Sequence, residues 1–166
     1  MAEEPLKFFT DEDAKQLPKG FLLTLTAPSG GGKSVFLQHL LSMPSMVNKR
    51  FGAAICVSPT SCLDCMTDTD QPNQFACIPR KFHYDLSENT LDDIIDMIKE
   101  HQKKMRREGR IQEILLVLDD ILTSNHSGRL EAFTSWISIK RHYMCSIVAI
   151  MQTATAIPPS ARRQVN

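Results

Sequence analysis

Residues Ala27 to Ser34 read APSGGGKS and follow directly on the apolar run FLLTLT, Phe21 to Thr26. The stretch fits [Ala/Gly]-x-x-x-x-Gly-Lys-[Ser/Thr], with Ala27 where glycine is more usual. These residue types suit one chemistry, the holding of a chain of phosphates. Gly30, Gly31 and Gly32 let the backbone turn its N–H groups inward and come close to phosphate oxygens. Ala27, Pro28 and Ser29 lead into that turn and complete the candidate ATP-binding set. The N-terminus of a helix starting near Lys33 adds to the anion site. Lys33 is placed to reach the β- and γ-phosphates, and the Ser34 hydroxyl to ligate Mg²⁺. A glycine turn that merely links strand to helix is the competing explanation. It is disfavoured because a buried strand precedes the loop and a helix follows it.

A second set of polar groups ends another apolar run. ILLVLDD places Asp119 and Asp120 at the C-terminal end of a strand, and in a parallel sheet such ends line the ligand crevice. Asp119 suits the Mg²⁺ shell, and Asp120 suits the base or orienting group for an attacking water. Many hydrolysing ATPases carry glutamate at the second position, and Asp120 is one methylene shorter. Gln152 closes the apolar run SIVAIMQ. Placed next to the strand bearing the acids, its amide would touch the γ-phosphate or the lytic water.

The elements that must position these groups read as strands alternating with helices. Strands are expected at Phe21–Thr26, Phe51–Ser58, within IQEILLVLDD and at Ser146–Gln152. Helices are expected at Ser34–Met43, with Val35, Phe36, Leu40 and Met43 as its apolar set, and near Leu130–Lys140. The stretch NTLDDIIDMIKEHQKKMRREG is a third helix, opened by a Thr90–Asp93 capping pair, lined by Leu91, Ile94, Ile95 and Ile98, and ended by Gly109. Residues 1–19 read as an N-terminal extension and 60–83 as an irregular loop or insertion. The pattern predicts one α/β domain over 1–166, with a mostly parallel sheet flanked by helices.

Composition bounds the partners. Nineteen Lys and Arg against nineteen Asp and Glu give zero formal charge, which argues against a diffuse polyanion-binding surface. No run of about 18 apolar residues suggests a membrane span, and the acidic N-terminus does not resemble a signal peptide. Five cysteines, an odd number, point to reduced thiols in an intracellular setting. Cys62, Cys65, Cys77 and His83 are of zinc-ligand types, but only the first pair has a standard spacing, so a free-thiol loop is the preferred reading. Lys99, Lys103, Lys104, Arg106, Arg107 and Arg110 form a basic run. It reads as a solvated helix face near the negative end of the dipole rather than a DNA track, since Glu100 and Glu108 interrupt it.

Four features occur in order: APSGGGKS, ILLVLDD, KRHYMCSIVAIMQ and IPPSARRQVN. Over residues 20 to 166 this series resembles the packaging-ATPase branch of the FtsK/HerA superfamily, found in poxviruses and other large icosahedral DNA viruses. In that family the Asp-Asp strand is followed by a helix, an Arg-His pair, a strand ending in Gln and a Pro…Arg…Asn segment. Here these are Arg141-His142, Gln152, Pro158-Pro159 and Arg162 to Asn166. The resemblance implies a P-loop ATPase acting as a homo-oligomeric ring that moves double-stranded viral DNA into a preformed capsid. Its partners would be capsid or portal-vertex proteins, and its place the virion or the host-cell cytoplasm where virions assemble. It also implies ATP sites between subunits, completed by a neighbour's arginine, for which Arg141 is the first candidate and Arg162 and Arg163 stand behind it. The family's core continues into at least one further strand, so the sheet is expected to lack that last strand here.

The reading that follows is a Mg²⁺-dependent ATP hydrolase in which Lys33, Asp120, Gln152 and Arg141 carry catalysis. A nucleotide or small-molecule kinase would use the same loop, but Asp-Asp followed by a Gln-ended strand fits water activation better. An ATP-binding assembly protein without turnover is the non-enzyme alternative.

Overall fold

The computed structural model describes residues 9–47, 50–59, 75, 77–85, 90–120, 127–153 and 159–163. Five strands form one sheet: β1 (Leu22–Thr26), β2 (Phe51–Val57), β3 (His83–Tyr84), β4 (Glu113–Asp119) and β5 (Cys145–Met151). Every pairing is parallel, in the order β1-β5-β4-β2-β3. β5 therefore lies between the strand that feeds the glycine loop and the strand that ends in the two acids. The expected strands are all present, with ends displaced by a residue or two. β3 was not foreseen, because two residues carry no periodicity.

Side-chain alternation divides the core between the two faces of the sheet. Ile114, Leu116, Leu118, Ile147 and Ala149 meet α4 (Leu91–Arg107) and α5 (Ser127–Ile139) through Ile94, Ile95, Ile98, Phe133 and Trp136. Leu115, Val117, Val148 and Ile150 meet α1 (Asp11–Gln16), α2 (Lys33–Ser42) and α3 (Pro44–Val47) through Ala14, Leu37, Leu40, Leu41 and Met46. β4 is buried on both faces as far as Leu118, which is why its sequence is a continuous apolar run rather than an alternating one.

The Thr90–Asp93 capping box opens α4, with Thr90 N–H donating to Asp93 Oδ2 at 2.8 Å and Asp93 N–H to Thr90 Oγ1 at 3.2 Å. Gly109, at φ 67°, turns the chain out of it. The same device at Thr10 and Asp13 caps α1, so part of the supposed N-terminal extension is a helix. α2 differs from its expected face. Leu37, Leu40 and Leu41 are buried with Met43, whereas Val35 is 70% exposed. The short helix α6 (Pro159–Arg162) lies against α5. Among the described residues, no helix is long and apolar enough to cross a membrane.

At the N-terminal edge of the sheet the strand starts are tied around one buried carboxylate. Glu113 Oε1 accepts from Gly20 N–H at 2.9 Å and from the Ser146 hydroxyl. Its Oε2 accepts from Arg50 Nε at 2.9 Å. Arg50 also donates to the Pro18 carbonyl at 2.7 Å, and its guanidinium lies over Phe21 and Phe51, 5.0 and 5.5 Å from the ring centres. Lys140, 1% exposed, donates its ammonium to the Gly20 carbonyl. Burial, and then the charge of Arg141, push Lys140 down to about 8.

Two stability effects follow from this cluster. Glu113→Gln keeps the volume but removes the charge that Arg50 faces, and is expected to cost about 3 kcal/mol, the order for breaking a buried pair. Urea unfolding midpoints at unchanged slope would measure it. Lys140 has an ordinary value of 10.5, so between pH 8 and 10.5 the unfolded chain holds more protons and stability rises with pH. Burial pushes Cys145 up from 9 to about 12, which acts in the opposite sense above pH 9. From pH 8 to 9 the stability difference between wild type and Lys140→Met should therefore move in favour of wild type.

Candidate functional site

Because all five strands run the same way, the segments that leave β1, β2, β4 and β5 emerge at one edge. There a cleft of about 410 Å³ is lined by Ser29 to Val35, Pro59, Asp119, Asp120 and Gln152. A larger cleft of about 740 Å³ opens at the opposite edge, beside Lys19, Arg50, Glu113 and Met144. It contains neither the glycine loop nor the acids, and chemistry favours the smaller one.

The loop is built from its residue types. Gly30 and Gly32 have φ of 75° and 78°, in the left-handed region that a side chain disfavours. Gly31 is needed for space, since a Cβ there would lie 2.7 Å from the Ala27 Cβ. Gly32 is the N-cap of α2 and brings no side-chain oxygen to the first-turn N–H groups, which leaves the positive end of the helix facing the cleft. Lys33 folds back on the loop, donating to the carbonyls of Ala27 at 2.5 Å and Pro28 at 2.9 Å. Ala27 and Pro28 thus hold the lysine rather than line the cleft, while Ser34 lines it. A phosphate entering would exchange those two carbonyls for its own oxygens.

The acids are held by the strands on either side. Asp119 ends β4, and its Oδ2 accepts from Ser58 Oγ at 3.0 Å. Asp120 follows at φ 52°, with its N–H on the Ile150 carbonyl at 3.0 Å. Its Oδ2 accepts from Gln152 Nε2 at 2.7 Å. A left-handed backbone explains the choice of acid, since aspartate enters that region more readily than longer side chains. Gln152, expected near the γ-phosphate or lytic water, is found on the carboxylate of Asp120. The Ser34 hydroxyl and the Asp119 carboxylate in one cleft are hard oxygen donors of the kind Mg²⁺ takes.

Arg141 is not brought to this cleft. It is exposed on the 3₁₀ turn Lys140–Tyr143 before β5, against Gly20, whose Cβ would lie 2.9 Å from Arg141 Cγ. The seven residues of β5 separate it from Gln152, roughly 20 Å at strand rise. Arg162 and Arg163 are exposed at and after the end of α6. Pro158 and 164–166 lie outside the described residues, and so do Cys62 and Cys65 of the zinc set. Cys77 is a free, exposed thiol, and His83 Nε2 lies 2.9 Å from the Ile78 carbonyl. Among the described residues no three His, Cys, Asp or Glu side chains gather as a metal site. In the basic run Lys99 pairs with Asp96 and Lys103 with Glu100, each at 2.7 Å, Arg110 pairs with Glu108, and Arg106 caps the His142 carbonyl. Much of that run is a self-compensated helix face.

Val35 at the cleft, and Ser58 buried behind Asp119, were not foreseen. Ser58 reads as a strand end before Pro59, and only the neighbouring of β2 and β4 gives it a partner. The backbone at Asp120 makes a prediction: Asp120→Gly should leave folding stability unchanged or raised, whereas Asp120→Val should cost about 1–2 kcal/mol, measured by thermal unfolding.

The family model described as Poxvirus A32 protein matches residues 8–166. Among solved structures, the chain is similar to Thermomonospora curvata EccC (ATPases 2 and 3) in complex with a signal sequence peptide. That match has a TM-score of 0.55 and 10% identity and covers 87% of this chain. The chain spans 30% of the length of that structure, and at such identity the likeness carries the fold, a P-loop α/β sheet of the ATPase kind. No curated protein sequence matches. The fold and the poxvirus-type family anticipated from the motifs are both found. With its family model spanning all but the first seven residues, the chain belongs to the Poxvirus A32 protein family.

Proposed function

We propose that the chain is the ATP-hydrolysing core of a motor that drives double-stranded viral DNA into the capsid during virion assembly. The observation that carries the reading is one cleft lined together by the Ser29–Val35 loop, Asp119, Asp120 and Gln152. Membership of the Poxvirus A32 protein family supports the viral setting, with the virion or the host-cell cytoplasm as the place of action.

In this reading the loop N–H groups and the start of α2 hold the β- and γ-phosphates. Lys33 leaves the Ala27 and Pro28 carbonyls and follows charge onto the transferring phosphoryl group. Ser34 and Asp119 would hold Mg²⁺, which would supply neutralisation of phosphate charge when bound. Asp120 orients the attacking water and accepts its proton as the new O–Pγ bond forms and the bridging bond to the β-phosphate breaks, giving ADP and phosphate. Gln152 holds Asp120 for that task. Arg141 lies at the far edge from its own cleft, so it would act on a neighbour's, which requires a homo-oligomer, a ring in the packaging reading. Arg162 and Arg163 remain the alternatives for that role. DNA and capsid or portal-vertex proteins would be the partners.

The test is ATP turnover with and without double-stranded DNA. Wild type is expected to release phosphate without an acceptor and faster with DNA. Lys33→Ala and Asp120→Asn should each lower turnover roughly a hundredfold or more, the scale of losing a charge stabiliser or a general base. Turnover that survives both changes, or phosphate transfer only to a second substrate, would remove the reading.

A further inference from the structure

We propose that Ser58 is a positioning residue for divalent-metal binding, acting through Asp119. The inference rests on the reading of Asp119 as a Mg²⁺ ligand and deepens it. Ser58 follows β2 directly, and β2 pairs with β4 in a register that sets Val57 beside Leu118. The next step along each strand brings Ser58 beside Asp119. Its backbone N–H is fixed on the Tyr84 carbonyl at 3.0 Å, so the short β3 strand holds the residue in place. Its side chain is fully buried, and its Oγ donates to Asp119 Oδ2 at 3.0 Å.

A carboxylate at a strand end can rotate about its side-chain bonds, and each free rotor lowers the share of time it faces a metal. A buried hydroxyl that donates to one oxygen fixes the plane of the group and orients it toward the cleft. Outer partners of this kind typically govern metal affinity by 10–100-fold. The serine offers a short, fully buried donor, and its hydroxyl remains neutral at all working pH. It therefore orients the acid without competing for the metal as a cation would. Gln152 gives Asp120 the equivalent support from the other side, so the two acids are steered by different strands.

The test separates orientation from bulk structure. Affinity for a fluorescent ADP analogue is measured with and without Mg²⁺, and the gain due to the metal is compared between variants. Ser58→Ala should lower that gain about tenfold while leaving the Mg²⁺-free affinity unchanged. Ser58→Thr, which keeps the hydroxyl, should retain the gain. An unchanged gain in Ser58→Ala overturns the proposal, and so does an equal loss with and without metal, which marks a merely structural serine. If the alanine variant does not fold, Ser58→Cys keeps the volume with a far weaker donor, and a full metal gain there overturns it equally. Asp119→Asn distinguishes the two layers. If it leaves the gain intact, the assignment of Asp119 itself fails. If it removes the gain while Ser58→Ala does not, only the role of Ser58 fails.

Discussion

The buried carboxylate of Glu113 sits where four strands begin, and the registers of the sheet depend on it. It holds the N–H of Gly20 ahead of β1, Arg50 ahead of β2, and Ser146 in β5. In a parallel sheet a strand displaced by one residue would exchange its inward and outward side chains along its whole length. A polar knot at the starts is a means of forbidding that slip. An ion pair so deeply placed adds little net stability against an apolar substitute. What it contributes is selection among registers, because any other alignment leaves an unpaired charge in the interior.

That register reaches the functional edge through the strands themselves. Each of β4 and β5 carries seven residues from knot to cleft, paired from Ile114 with Cys145 to Asp119 with Ile150. The offset fixed at one end is therefore delivered at the other. Asp120 donates its N–H to the Ile150 carbonyl and accepts from the Gln152 amide because β5 arrives level with it. Ser58 meets Asp119 for the same reason on the β2 side. The glycine loop, one strand further out, hangs from β1, which β5 also aligns. The cleft is thus the far end of a structure whose geometry is set about 20 Å away.

Much of this was legible in the chain. Local rules were enough for the loop, since glycine at positive φ and a helix N-terminus are properties of neighbouring residues. They were enough for the Thr90–Asp93 cap as well, and the same rule applied to Thr10 and Asp13 would have found α1. Other features depended on which strands become neighbours, and no local pattern states that. Gln152 could be placed at a strand end, but its bond to Asp120 needed β5 to lie directly beside β4. Ser58 had no partner visible in sequence, and Val35 looked like part of an apolar stripe until α2 turned it toward the cleft mouth. The preference for aspartate over glutamate at 120 became explicable only once its φ was known.

The parallel arrangement also divides labour within one copy. The groups proposed to hold phosphate sit at the C-terminal edge, and Arg141 sits at the N-terminal edge beside Gly20. No rotation of a single side chain closes a gap of roughly 20 Å. If an arginine from this turn completes the reaction, it must come from another copy that presents the opposite edge. Such a contact joins two different surfaces, a head-to-tail interface that closes only as a ring or continues as a filament. In that arrangement the knot around Glu113 would acquire a second consequence. Lys140, next to Arg141, is tied to Gly20 within the same cluster, so the residues that fix the register also fix where the arginine stands. The fold would then set the geometry of both halves of a shared site from one buried carboxylate.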